Sequence, residues 1–391
     1  MTTRHALYAV TAPGLESLTA AELQRLGLEP TVVDPGGVSF QGTLTDVARA
    51  NLWLRTASRI LVRLGEFHVR ALGELERKAG HLPWRDWLVA DQRLTVRATC
   101  RKSRLFHQKA VAQRVITGAG GLPASGLTAD AGSLDEDEGA EAQLVVVRVF
   151  RDTATISLDS SGALLHRRGY RLETAKAPVR ETLAAALLLT SGWDPAEPLV
   201  DPFCGSGTIP IEAALLARRL PPGLHRNFAF RRWSAWDDSE WQSLTDAARN
   251  QSLSRAPAPI IGADRDAGAI AAARGNAERA AVIDDIEFRQ AALSSLDPPP
   301  GTGHLVSNPP YGVRVGDQRD LRDLYARLGQ VARERLTGWR LTLLVPTAPL
   351  ERSTGLAFTD SLRTRNGGLV VRVACARAPA PGAVDGSDRD P

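Results

Sequence analysis

The sequence predicts an α/β protein, a doubly wound parallel sheet in its second half preceded by a compact α+β module. Three observations predict it. Short apolar runs at 199–202, 260–263, 286–288, 305–308 and 341–345 alternate with helical patterns, the spacing of a parallel sheet. A glycine-bearing turn at 201–208 joins the first of these runs to a helix. The first half reads strand, helix, strand, strand, helix, strand over 7–10, 15–26, 31–33, 37–40, 45–54 and 60–69.

The remaining elements follow in order. Residues 94–99 read as a strand and 105–117 as a helix. The stretch 119–142, rich in Gly, Ala and Ser with an acidic run at 135–138, reads as a mobile loop. Runs at 143–150 and 153–159 flank Arg151-Asp152, a hairpin pattern. Helices are expected at 184–190 and 209–220, and residues 378–391 form a Pro/Gly/Asp tail expected to be disordered.

Composition narrows the function classes. With 391 residues the chain has room for two or three domains. Charged residues make up 24% and hydrophobic ones 43%, which excludes wholesale disorder and fibrous structure. Of 48 basic residues only Lys78, Lys102, Lys109 and Lys176 are lysines. GC-rich codon usage and phosphate binding predict the same arginine excess. Three distant cysteines, Cys100, Cys204 and Cys375, argue against a disulfide framework and suit a reducing cytoplasm. No stretch has the apolar length of a signal peptide or a membrane span. The seven histidines show no metal-ligand spacing, so no metal is expected.

Three motifs carry chemistry. In the first, Asp201-Pro-Phe203-Cys204-Gly205-Ser206-Gly207-Thr208, glycines permit a close approach of backbone to ligand, and the helix start favours anions. There is no Walker-type lysine. Cys204 at the helix start is expected to have a depressed thiol pKa, though its expected role is packing. The second is Asp264, at the end of the next strand, where an acid would accept ribose hydroxyls; the competing reading is a helix cap. Its distance from the glycine loop requires an insertion over 221–259. The third is Asn308-Pro309-Pro310-Tyr311. The prolines stiffen the loop, the Asn308 oxygen and Pro309 carbonyl can accept two hydrogens from an exocyclic amine, and Tyr311 offers a ring for a planar base.

In this chain order the motifs resemble class I S-adenosylmethionine-dependent methyltransferases that modify exocyclic amines. The runs at 166–171, 177–186 and 222–226 resemble, more specifically, the THUMP-domain guanine-N2 RNA methyltransferases, in particular the N-terminal half of the bacterial enzymes that act on 23S ribosomal RNA. The resemblance implies a ferredoxin-like plus THUMP RNA-binding region over 1–165 (THUMP about 43–160) and a Rossmann-like methyltransferase domain over 166–377. It implies S-adenosylmethionine as cofactor, held by Glu181, Thr182, Asp201, Phe203, Cys204, Gly205, Ser206, Gly207, Thr208 and Asp264. Asn308, Pro309, Pro310 and Tyr311 would be catalytic. The expected substrate is 23S rRNA, with tRNA as the alternative, in a cytoplasmic monomer. The chain ends before any second, fused catalytic half, so a single activity is expected.

Residues 91–118 carry seven basic side chains against one acid, and 167–180 carry five against one. Arg97, Arg101, Lys102, Arg104, Lys109, Arg167, Arg168 and Arg171 are therefore the candidate phosphate contacts. One departure stands out: Ala292 occupies the position where the family commonly has an acid for the adenine amine. Either Gln290 or a backbone carbonyl substitutes, or cofactor affinity is reduced, and a catalytically weak RNA-binding assembly factor stays open. Adenine-N6 and glutamine methyltransferases share N-P-P-Y but lack the THUMP-like half.

Overall fold

The computed structural model describes residues 3–89, 92–120, 124–126, 142–172, 179–311, 318–346, 350–366 and 368–379. The first half contains β1 (His5–Thr11), α1 (Glu16–Arg25), β2 (Pro30–Asp34), β3 (Gly37–Gly42), α2 (Leu44–Trp53), β4 (Ala57–His68), α3 (Leu72–Gly80), α4 (Trp84–Trp87), β5 (Leu94–Arg101), α5 (Gln108–Gly118), β6 (Ala124–Gly126), β7 (Gln143–Phe150) and β8 (Thr153–Asp159). The second contains α6 (Glu181–Ser191), β9 (Leu199–Asp201), α7 (Thr208–Ala217), α8 (Asp238–Asn250), β10 (Ile260–Asp264), α9 (Ala267–Arg279), β11 (Ile286–Gln290), β12 (His304–Ser307), α10 (Gln318–Arg335), β13 (Arg340–Pro346), β14 (Thr359–Asn366) and β15 (Leu369–Arg377). Residues 1–168 and 221–250 form one compact unit; 169–220 and 251–391 form the other.

In the first unit one sheet runs β2-β3-β1-β4-β8-β7-β5-β6. The twelve-residue β4 makes it continuous, pairing antiparallel with β1 on one side and β8 on the other. Strand alternation puts Leu7, Ile60, Val62, Val96, Val147 and Leu158 into one buried core with Leu23 and Val47 of the helices. A capping box starts α2: the Thr43 hydroxyl accepts from the Asp46 N–H, and the Asp46 carboxylate accepts from the Thr43 N–H.

The 221–250 segment belongs to this unit, so the expected 166–377 domain is interrupted in sequence. The cause is aromatic burial. Phe228, Phe230, Trp233 and Trp241 join the first unit's core, and the Trp233 indole N–H donates to Gln143 Oε1 at 2.8 Å. Gly223 lies so close to α2 that a Cβ would sit 2.7 Å from the Asn51 carbonyl oxygen, and its N–H donates to the Leu52 carbonyl at 3.0 Å. Arg226 gathers the carbonyls of Ala163, Leu164 and Arg167 at 2.6 Å each. The 222–226 motif thus fastens the segment to its unit.

The second unit's sheet runs β11-β10-β9-β12-β13-β15-β14. The first five strands of that order are parallel, while β15 pairs antiparallel with β13 and β14. The β14–β15 hairpin was not foreseen in the sequence. Within 119–142, β6 is a strand paired with β5 rather than loop; residues 127–141 and the tail beyond 379 lie outside the described residues.

Candidate active site

The chain leaves β9 toward β10 and β11 on one side, then returns to β12 on the other. The seam between β9 and β12 is therefore the topological switch point, where the carboxyl ends of neighbouring strands open a crevice. All three chemical motifs end there. Asp201 closes β9, Asp264 closes β10, and Asn308 follows β12.

The glycine loop is held on both sides. Phe203 N–H donates to Asp201 Oδ1 at 3.1 Å, Cys204 N–H to the Ala263 carbonyl at 2.9 Å, and Gly205 N–H to Asp264 Oδ2 at 3.0 Å. Gly207 has φ +83°, and a Cβ there would meet Ala273 Cβ at 3.0 Å and the Phe288 ring at 3.3 Å. Glycine is needed for both reasons, since any side chain would be strained and would push α9 away. Ser206 and Thr208 are buried, Phe203 half-buried.

Asp264 is not the cap of α9. Asp266 fills that role, accepting from Gly268 and Ala269 N–H at 2.7 and 3.2 Å. Asp264 instead accepts one backbone N–H on each oxygen, from Gly205 and Asp266, and stays partly exposed with lone pairs for a hydroxyl ligand.

Across the seam, Ser307 donates its hydroxyl to Asp201 Oδ1 at 2.5 Å. This bond ties the glycine loop to the Asn308 loop. Asp201 is 1% exposed, and burial pushes its carboxyl up to about 7; the nearby Asp264 adds to the rise, while the Ser307 and Phe203 bonds oppose it. Asn308 Oδ1 is buried and, among the described residues, has no hydrogen-bond partner. Pro309 is buried, with Pro310 and Tyr311 half-buried. The Tyr311 hydroxyl accepts from Asn366 Nδ2 at 2.9 Å, so the β14–β15 hairpin fixes the ring.

Glu181 and Thr182 are buried in the first turn of α6. Arg171 pairs with Glu181 at 3.1 Å and donates to the Val179 carbonyl at 2.8 Å, so it braces α6. Cys204 departs from expectation: burial first, then Asp201 and Asp264, raises its thiol well above the ordinary value. Two facing carboxylates and desolvation outweigh the helix start, which leaves the thiol a packing group.

Among the candidate phosphate contacts, Arg101, Lys102, Arg104, Lys109 and Arg167 are exposed. Arg97 and Arg168 are each 4% exposed, which removes them from the surface. Arg97 lies in the buried run of β5, and Arg168 donates to the Arg55 carbonyl at 2.9 Å. Among the described residues no cluster of His, Cys, Asp and Glu could hold a metal, and no helix is long and apolar enough to cross a membrane.

The motif reading missed a supporting network. Asn276 of α9 donates to the Ser206 carbonyl at 3.0 Å and accepts from Arg279 at 2.5 Å. Arg279 also donates to the Tyr170 carbonyl at 2.8 Å, and the Tyr170 hydroxyl donates to Glu212 of α7 at 3.0 Å. A lone asparagine in an alanine-rich helix was the available signal.

An RMKL-like methyltransferase domain matches residues 168–370, and an RlmL ferredoxin-like domain matches 6–61. YpsC of Bacillus subtilis, provisionally assigned as an RNA methyltransferase, is 35% identical over 93% of this chain and 94% of its own length. The ribosomal RNA large subunit methyltransferase K/L of Syntrophotalea carbinolica is 37% identical over 94% of this chain, which spans 53% of that longer protein. The solved structure of SMU.472, provisionally described as a methyltransferase and complexed with SAH, superposes with a TM-score of 0.84 at 30% identity, covering 96% of this chain and 98% of that one. Full-length similarity of this kind, added to the switch-point crevice, places the chain in the RMKL-like methyltransferase family.

Proposed function

We propose that the protein transfers a methyl group from S-adenosylmethionine to the exocyclic N2 amine of a guanine in RNA, with 23S rRNA the favoured substrate. One observation carries the reading: the buried, unpartnered Asn308 oxygen next to a seam that the Ser307–Asp201 bond ties to the glycine loop. A buried acceptor left open in a crevice suits an amine hydrogen. The residues also fit the cofactor. Half-exposed Gly205 has no side chain to keep a ligand from the backbone, and Asp264 keeps lone pairs for ribose hydroxyls.

When bound, S-adenosylmethionine supplies an already activated methyl group. The chain's own work is then positioning. Asn308 Oδ1 and the Pro309 carbonyl accept the two amine hydrogens and aim the nitrogen lone pair, which also steadies charge developing on that nitrogen. Tyr311 stacks the base. A paired guanine cannot enter, so the target is unpaired or flipped out. The first unit, including the expected THUMP region, would dock the RNA. The name of the longer Syntrophotalea relative supports ribosomal RNA as substrate.

Mass spectrometry of nucleosides from a deletion strain tests this. Loss of an N2-methylguanosine from ribosomal RNA is expected. Loss from transfer RNA alone reassigns the substrate, and loss of N6-methyladenosine instead overturns the base.

Asn366 gives a finer test. Removing its bond to Tyr311 with Asn366→Ala frees the ring at a cost of about 1 kcal/mol, so KM for RNA should rise about five-fold with kcat little changed. Tyr311→Phe should do the same, and the double variant should be no worse than either single one. Additive losses would show that Asn366 acts elsewhere.

A further inference from the structure

We infer that the loop between β5 and α5, together with the β7–β8 turn beside it, is a platform for one unpaired nucleotide of the RNA: its base stacks on Phe106 and its flanking phosphates sit among Arg101, Lys102, Lys109, Arg148 and Arg151. The inference rests on the RNA reading above and adds the place and the stacking residue.

Phe106 is 64% exposed, and it is the only aromatic among the large apolar side chains left exposed in the described residues. Burial would normally claim such a ring. His107 backs it at a centroid distance of 4.0 Å and a tilt of 41°, leaving its open side to solvent. The sequence expectation of a helix from 105 hid this, because α5 begins only at Gln108 and Leu105 to His107 form a loop.

Cations surround the ring's loop. Arg101 pairs with Phe150 in the parallel β5–β7 register, which brings the two strand ends together. Arg148 and Arg151 lie 5.4 and 5.2 Å from the centroid of Phe150. Among the described residues, no carboxylate forms an ion pair with Arg101, Lys102, Lys109, Arg148 or Arg151. Aromatic rings set among basic side chains are the means by which single strands are bound without base preference.

The backbone is held in an unusual shape. Five non-glycine residues in the described chain have positive φ, and three of them are here: Lys102 at 51°, Arg151 at 50° and Asp152 at 60°. A two-residue hairpin turn with both φ positive favours Asn-Gly, yet this one is Arg-Asp. Such strain persists where surroundings enforce it, commonly at ligand sites. Asp152 does the enforcing. Its N–H donates to Ser103 Oγ at 3.1 Å, and its carbonyl accepts from Val69 N–H at 2.7 Å. Its Oδ1 accepts from Arg104 N–H at 2.7 Å, and its Oδ2 pairs with Arg70 at 3.3 Å. Ser103 Oγ donates in turn to the Arg101 carbonyl at 2.9 Å. The loop is thus preorganised, and little ordering remains to be done on binding.

Fluorescence anisotropy with the full chain and a labelled mixed-sequence RNA of about ten nucleotides, single-stranded or annealed to its complement, tests the platform. Phe106→Ala should weaken single-strand binding about 5–100-fold, leave the salt dependence unchanged, and alter duplex binding less than about two-fold. Phe106→Trp should bind like wild type. Lys102→Ala should lower the slope of log affinity against log salt by about 0.7. The exposed ring predicts an unchanged Tm for Phe106→Ala, which confirms folding. Wild-type single-strand affinity in Phe106→Ala, or equal losses on single strand and duplex, would overturn the platform alone. Wild-type protein that bound neither RNA at low salt would overturn the RNA reading and the platform together.

Discussion

Asn308→Ala should reduce methyl transfer by at least about 10²–10³-fold while leaving the affinities for S-adenosylhomocysteine and RNA within about two-fold of wild type. The asymmetry follows from where the residue stands. Asn308 follows β12 directly, and its Oδ1 makes no bond within the described protein, so truncation costs the fold no hydrogen bond through that atom. On the proposed reading, what is lost is an acceptor for the attacking amine, and such losses fall on kcat. Asn308→Asp keeps an acceptor oxygen and should retain markedly more activity than Asn308→Ala. Single-turnover rates with saturating RNA and cofactor separate the outcomes. Equal loss in both variants would show that acceptance by Oδ1 is not the function of the side chain, and wild-type turnover in Asn308→Ala would sink the catalytic assignment.

The parts of this site that were legible in sequence are those with a local cause. A strand that turns at once into a helix needs glycines, so Gly205 and Gly207 announce the loop; prolines after a strand announce the Asn308 loop. Asp264 was legible in position but ambiguous in role, until the bonds of Asp266 showed which aspartate caps α9. Nonlocal causes were hidden. A charge count over 91–118 treats all basic residues alike, but Arg97 lies in the buried run of β5 and Arg101 at its exposed end. The helix-start argument for Cys204 ignored burial, the carboxylate of Asp201 at the end of its own strand and that of Asp264 brought in by β10, and together these reverse its sign. Nothing between Pro221 and Asn250 states that its aromatic residues pack into the first unit's core, because that depends on a surface assembled from β-strands far away in sequence. Ser307, Asn276 and Asn366 are polar residues whose partners lie dozens of residues off, and single-sequence periodicity carries no trace of such pairs.

Cofactor affinity should rise with pH up to about 7, and Asp201→Asn should flatten the curve. In the folded protein the Asp201 carboxyl is pushed up to about 7, chiefly by burial, against 3.8 when solvated. A raised acid contributes stability that is complete below pH 4 and is lost as pH climbs to about 7, about 4 kcal/mol at most for a shift of this size. Asp201→Asn lacks that loss, so the variant's Tm relative to wild type should improve between pH 5 and pH 8. Binding runs the other way. S-adenosylmethionine carries a sulfonium charge, and if Asp201 and Asp264 hold it as proposed, that charge favours the ionised carboxylate. By linkage, a ligand that favours ionisation binds more tightly as protons are withdrawn. Wild-type affinity should therefore increase up to about ten-fold from pH 6 to pH 7 and level off above. S-adenosylhomocysteine, neutral at sulfur, should show a shallower slope. Asp201→Asn should bind S-adenosylmethionine at least about ten-fold more weakly at pH 8, with no slope. Calorimetric titrations at four pH values decide the matter, and parallel slopes in wild type and variant would mean that another group, not Asp201, carries the proton.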